Sequence, residues 1–119
     1  MSAFPRDKHA RLLKLLTREL ELFEKVRALT QEQSEFLAAD EKEELGPLNE
    51  SLQRRQEVID QIDGLHQETD PLMQSYVSCQ KSAGGKKLGD IELAAGKLRS
   101  VMAECARLND SNKIGRAHV

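Results

Sequence analysis

Three isolated histidines, two cysteines, one acidic run and one pair of glycines followed by lysines are the places where this sequence could do chemistry. His9, His66 and His118 could act as general bases or metal ligands, yet none belongs to an HxxxH or HExxH pair, the spacing that sets two imidazoles on one helix face around zinc. Gly84-Gly85-Lys86-Lys87 has the residue types of a phosphate-cradling loop, but the first glycine of that spacing is missing and no hydrophobic strand precedes it. A flexible connection is expected there. Asp40-Glu41-Lys42-Glu43-Glu44 could hold a metal or a basic peptide, although acids at a helix N-terminus are already favoured by the macrodipole. Cys79 and Cys105 lie far apart with no CxxC, which predicts two small hydrophobes in a reducing compartment. No catalytic residue, cofactor or metal site follows from these residues, so function is expected to rest on binding rather than on catalysis.

The elements that carry these residues are expected to be helices. Of 119 residues, 39% are hydrophobic, 32% charged and only 3% aromatic, and Leu, Ala, Glu, Gln, Lys and Arg dominate. Those side chains lose little rotamer freedom in a helix, and the chain lacks the aromatics that usually build sheet cores and pocket floors. The length suits one domain. The expected fold is all-α: an elongated antiparallel hairpin or three-helix bundle with coiled-coil-like packing over residues 1–113.

A first helix is predicted from about Asp7 to Leu37, with Leu12, Leu13, Leu16, Leu20, Phe23, Val26, Leu29, Phe36 and Leu37 on its apolar face. At ~1.5 Å per residue it would extend roughly 45 Å. Thr30 to Glu35 is polar but free of breakers, and the helix is expected to continue through it with those residues solvated, as are Glu19, Glu21 and Lys25. Ala38-Ala39-Asp40 is the expected turn, with Asp40 and Glu43 forming a reciprocal cap. The second helix carries Leu45, Leu48, Leu52, Ile59, Ile62 and Leu65, with a polar break at Arg55-Gln56 that implies a solvated notch or a buried polar contact. Pro47 should kink it or mark its start. Beyond Gly64 the pattern weakens, and Asp70-Pro71 is expected to open a separate short helix ending near Ser82. Asp90 should cap a last helix with the stripe Ile91, Ala94, Leu98, Val101, Met102, Cys105 and Leu108. The terminal Ile114-Gly115-Arg116-Ala117-His118-Val119 breaks that register and is also the translation of a common sequencing adapter (ATC GGA AGA GCA CAC GTC). Residues 114–119 are therefore expected to be a non-native tail on a protein that is naturally longer.

A formal net charge of -2 with interspersed signs gives no basic stripe for phosphates, so nucleic acid is not an expected partner. No apolar run approaches the ~20 residues of a membrane span, and Met1 to Arg6 opens no signal peptide. A soluble, cytoplasmic protein is expected. Helices of unequal length cannot cover every stripe, which leaves apolar surface on the last helix for a partner or for self-association as a homodimer.

The long first helix, Leu45-x-x-Leu48-x-x-x-Leu52, Arg55-Gln56-Glu57-Val58-Ile59-x-x-Ile62 and above all Cys105-x-x-Leu108-Asn109-x-x-Asn112 resemble the FlgN-type flagellar export chaperones, over about Leu12 to Lys113. Lys113 stands where that family has a Gly. The resemblance implies a small cytoplasmic helical protein that holds the hook-filament junction proteins FlgK and FlgL and hands them to the type III export gate. It implies that the client is bound by the C-terminal helical part, onto which Leu98, Val101, Met102, Cys105, Leu108, Asn109 and Asn112 map. A FliT-like chaperone for the filament cap would share size and helicity but not the Leu108-Asn109-x-x-Asn112 ending. A structural coiled-coil protein would use the same stripes only for self-assembly.

Overall fold

A computed structural model describes residues 4–38, 45–83 and 87–117, with side chains described except at 38, 45, 47, 82, 83 and 113–117. Three helices account for nearly all of it: α1 (Arg6–Ala38), α2 (Leu45–Ala83) and α3 (Gly89–Ala117). The expected Asp40–Glu43 cap and the Gly84-Gly85-Lys86 connection lie outside the described residues.

The bundle measures 63 × 20 × 18 Å, and α1 is its hub. Both α2 and α3 pack along α1, whereas among the described residues no Cα of α2 comes within 8 Å of one of α3. Cross-helix pairs fix the directions. Arg11 meets Glu68, Thr30 meets Arg55 and Glu32 meets Ser51, so α2 runs antiparallel to α1. His9 meets Asp90, Arg27 meets Glu104 and Ser34 meets Asn112, so α3 returns parallel to α1 in a constant register.

Each helix buries a heptad stripe. On α3 the set Ile91, Ala94, Leu98, Val101, Cys105, Leu108 and Asn112 alternates steps of three and four, the repeat that keeps one seam against a partner helix. On α1 the buried set is wider than the expected stripe. It adds Leu15 and Leu22 to Leu12, Leu16 and Val26, because a hub helix must cover two neighbours. The pieces join in two clusters. Leu12, Leu16, Tyr76, Ile91 and Leu98 pack at one end, and Leu22, Val26, Ile62, Val101 and Cys105 pack further along.

α2 corrects one expectation. It runs unbroken through Gly64 and Pro71, so no separate helix begins at Asp70. The reason is a repeat that polar residues disguise: Ser51, Arg55, Val58, Ile62, Leu65, Thr69, Leu72, Tyr76 and Cys79 keep the three-four alternation across both breakers. Pro71 deprives the Gln67 carbonyl of its donor, but Pro71 and Gly64 are exposed and water can take that place. Pro47 lies in the first turn of α2, where a missing N–H removes no intrahelical bond.

The end where α2 leads into α3 is held by Tyr76. Its ring is buried and meets Phe4 edge-on at 5.4 Å between centroids. Its hydroxyl accepts from Gln80 Nε2 at 2.8 Å and from the Leu88 N–H at 2.9 Å, and it donates to Glu92 at 3.3 Å. Burial foremost, opposed by the Leu88 N–H and helped by the Glu92 carboxylate, pushes the phenol above its ordinary pKa, so it remains a donor.

Candidate functional site

Two polar layers interrupt the apolar core, and both arise from polar residues at heptad positions of α1. Leu12, Glu19, Val26 and Gln33 follow one another at intervals of seven, so Glu19 and Gln33 occupy core positions. Both are buried, as is Thr30, which corrects the expected solvation of Glu19, Thr30 and Gln33, while Gln31 is exposed as expected.

In the first layer the Glu19 side chain, 3% exposed, faces the exposed His66 and the buried Thr69 of α2. His66 Nδ1 lies 3.5 Å from Glu19 Oε1, near enough for an ion pair, yet Oε1 has no hydrogen bond. The Thr69 hydroxyl donates at 3.0 Å to the Leu65 carbonyl. Burial pushes the Glu19 carboxyl above its ordinary range, while the charge of a protonated His66 and the Thr69 hydroxyl act the other way.

The second layer gathers all three helices. Asn112 of α3 donates from Nδ2 to the Thr30 carbonyl at 3.1 Å and accepts from the Ser34 hydroxyl at 2.6 Å. From α2, Arg55 Nε donates at 3.0 Å to the Thr30 hydroxyl, which itself donates to the Val26 carbonyl at 2.7 Å. Ser51 donates to Glu32 at 2.9 Å, with Arg54 beside the same carboxylate at 3.6 Å. The break at Arg55 is thus a part-buried polar contact to the buried Thr30, with Gln56 exposed beside it. Gln33, fully buried one residue from Ser34, has no hydrogen bond at either amide atom. A buried polar group left so costs about 1–3 kcal/mol.

Five of the seven residues expected to touch a client are therefore interior. Leu98, Val101, Cys105 and Leu108 are core, and Asn112 is buried with its amide bonded to Thr30 and Ser34 of α1. Burial raises the Cys105 thiol against the lowering charges of Arg55 and Arg27, and the thiol contacts the Phe23 carbonyl at 3.5 Å. A protonated, packed thiol is an inert hydrophobe. Asn109 is half-buried, and Met102 alone of the stripe stands out, at 44% exposure. The physical reason is that an apolar stripe identifies a face without saying what covers it, and here α1 does.

Other residues make the accessible surface. Leu20 and Glu24 of α1 with Glu92, Leu93, Gly96, Lys97, Ser100 and Val101 of α3 line an open groove of about 460 Å³. Leu93 stands on its rim at 60% exposure. Gly96 keeps the floor low, since a Cβ there would meet nothing within 4 Å. Apolar floor and rim with Glu24, Glu92 and Lys97 around them suit the apolar ridge of an amphipathic helix.

The histidines have partners that sequence spacing did not disclose. His9 Nε2 lies 2.8 Å from the Asp90 carboxylate, joining the first turns of α1 and α3, and His66 faces Glu19. The His9 hydrogen bond, foremost, holds the Asp90 carboxyl below its ordinary range. Asp90 also accepts from the Ile91 N–H at 2.8 Å. His118 lies outside the described residues. Among the described residues no three of His, Cys, Asp and Glu gather into a group able to hold a metal, and no helix is long and apolar enough to cross a membrane. Comparison with protein-family models, with curated proteins and with solved structures gives no match.

Proposed function

We propose that this chain is a non-catalytic helical chaperone of the FlgN type. It holds an amphipathic terminal helix of a hook-filament junction protein, FlgK or FlgL, in the cytoplasm and delivers it to the type III export apparatus. The observation that carries the reading is the open groove between α1 and α3, with Leu93 on its rim and Gly96 on its floor. A groove between two parallel helices accepts a third helix through an apolar ridge, and binding of that kind needs no reacting group. The resemblance at Cys105-x-x-Leu108-Asn109-x-x-Asn112 supplies the identity of the client. Within it, Leu108 and Asn112 shape the bundle that presents the groove, and the exposed Met102 and half-buried Asn109 remain available at its surface.

Co-purification tests this. Tagged chain co-expressed with terminal fragments of FlgK, FlgL and a filament-cap protein should retain a junction-protein fragment. Retention of the cap fragment instead favours the FliT-like alternative, and recovery of the chain only with itself favours a self-associating coiled coil.

A further inference from the structure

Among the described residues Glu19 is the one acidic or basic side chain that the bundle encloses almost wholly, at 3% exposure, and it occupies a core position of the hub helix. A carboxylate there has to be neutralised by a proton or balanced by a cation, because desolvation penalises a lone buried charge. The cation within reach is His66, at 3.5 Å across the α1–α2 seam. An imidazole is the side chain whose charge changes between about pH 5 and pH 8.

We propose that Glu19 and His66 form a proton-operated clasp that tightens the seam between α1 and α2 under mildly acidic conditions and loosens it as the surroundings become alkaline.

The surroundings leave this pair in control. On α1 the neighbouring Arg18 is drawn outward to Glu21 at 3.2 Å, and Leu15, Leu16 and Leu22, within four residues of Glu19, are buried apolar side chains. On α2, Glu68 is engaged by Arg11 at 3.2 Å, and Asp63 is exposed. Thr69 is the remaining polar neighbour. The α1–α3 register sets residues 96–101 opposite Glu19; there Leu98 and Val101 are buried, and Lys97 and Arg99 are exposed.

The direction follows from Glu19. Burial raises the Glu19 carboxyl in the folded chain, so its contribution to stability is complete below the ordinary carboxyl value of 4.5 and is lost as pH rises through the raised value. A neutral imidazole at 3.5 Å supplies no charge to compensate an ionised Glu19. The enclosed Oε1 without a hydrogen bond is where the seam is weakest once that charge is gone.

The test is thermal melting of the full chain between pH 5.5 and pH 8, for wild type, Glu19→Gln and His66→Gln. Wild type should melt several degrees lower at pH 8 than at pH 5.5. Glu19→Gln, which keeps the shape and removes the charge, should flatten that slope and melt above wild type at pH 8. His66→Gln should melt below wild type at pH 5.5, having lost the compensating cation. A wild-type profile that is flat or rises with pH, or a Glu19→Gln profile with the wild-type slope, overturns the proposal. Carbon NMR of the Glu19 carboxyl gives a reading independent of variant folding. Its titration midpoint in wild type should lie above 4.5, and a midpoint at or below that value overturns the clasp. The outcome does not depend on which partner occupies the groove.

Discussion

Leu98 and Leu93 are five residues apart on α3, and truncating each to alanine separates a core stripe from a docking face. Leu98 is 8% exposed and packs with Leu12, Leu16, Tyr76 and Ile91, whereas Leu93 is 60% exposed on the groove rim. Removing a buried leucine side chain loses its transfer energy and leaves a cavity, about 2–5 kcal/mol in all. An exposed substitution usually stays within about 0.5 kcal/mol. Unfolding entropy of about 2.1 cal/mol/K per residue over 119 residues makes each 1 kcal/mol worth about 4 °C in Tm. Leu98→Ala should therefore lower Tm by roughly 8–20 °C, and Leu93→Ala should move it by no more than about 2 °C. Melting followed by helical circular dichroism reads both. Equal shifts for the two variants, or a Leu98→Ala chain that melts with wild type, would refute the placement of the α3 stripe against α1.

Two further outcomes follow from the polar contacts. Tyr76→Phe removes the hydroxyl that serves Gln80, Leu88 and Glu92, and the stranded groups should cost about 1–3 kcal/mol, read as a lower urea midpoint at unchanged m. Asp90, held below its ordinary value of 3.8 chiefly by the His9 hydrogen bond, contributes stability that is present above that value and lost as pH falls through the lowered one. Asp90→Asn should shrink the fall in urea midpoint on acidification below about pH 4, and an unchanged acid limb would contradict the His9–Asp90 link.

The helices of this chain were legible where apolar residues mark the period. α1 and the start of α3 fall within a residue or so of their expected bounds, because no breaker intervenes in one and Asp90 precedes the stripe in the other. The middle of α2 was illegible for a definite reason. Ser51, Arg55 and Thr69 hold heptad positions and hide the repeat, while Gly64 and Pro71 signal breaks that exposure renders tolerable. Glu19 and Gln33 were misread in the same way, although counting by sevens from Leu12 would have placed both in the core. The pairs His9–Asp90 and His66–Glu19 could not be read at all, since each joins residues far apart in the chain and depends on helix register. Five residues of the α3 stripe, Ile91, Leu98, Val101, Cys105 and Leu108, are buried as read, while Met102 is exposed and the buried Ala95 was missed; whether a helix of the same chain or a partner covers the stripe is decided by tertiary packing.

The central claim is that a client helix seats in the α1–α3 groove, and calorimetric titration of a FlgK or FlgL terminal-helix peptide tests it most directly. Three chains suffice: wild type, Leu93→Asp on the groove rim, and Val77→Asp, a control at an exposed apolar residue of α2 that is 37% accessible and no part of the groove. A carboxylate set against an apolar ridge should weaken binding by about tenfold or more, equivalent to at least 1.4 kcal/mol. The account predicts that loss for Leu93→Asp alone, with all three chains melting within a few degrees of one another. Wild-type affinity in Leu93→Asp, or an equal loss in Val77→Asp, would contradict it.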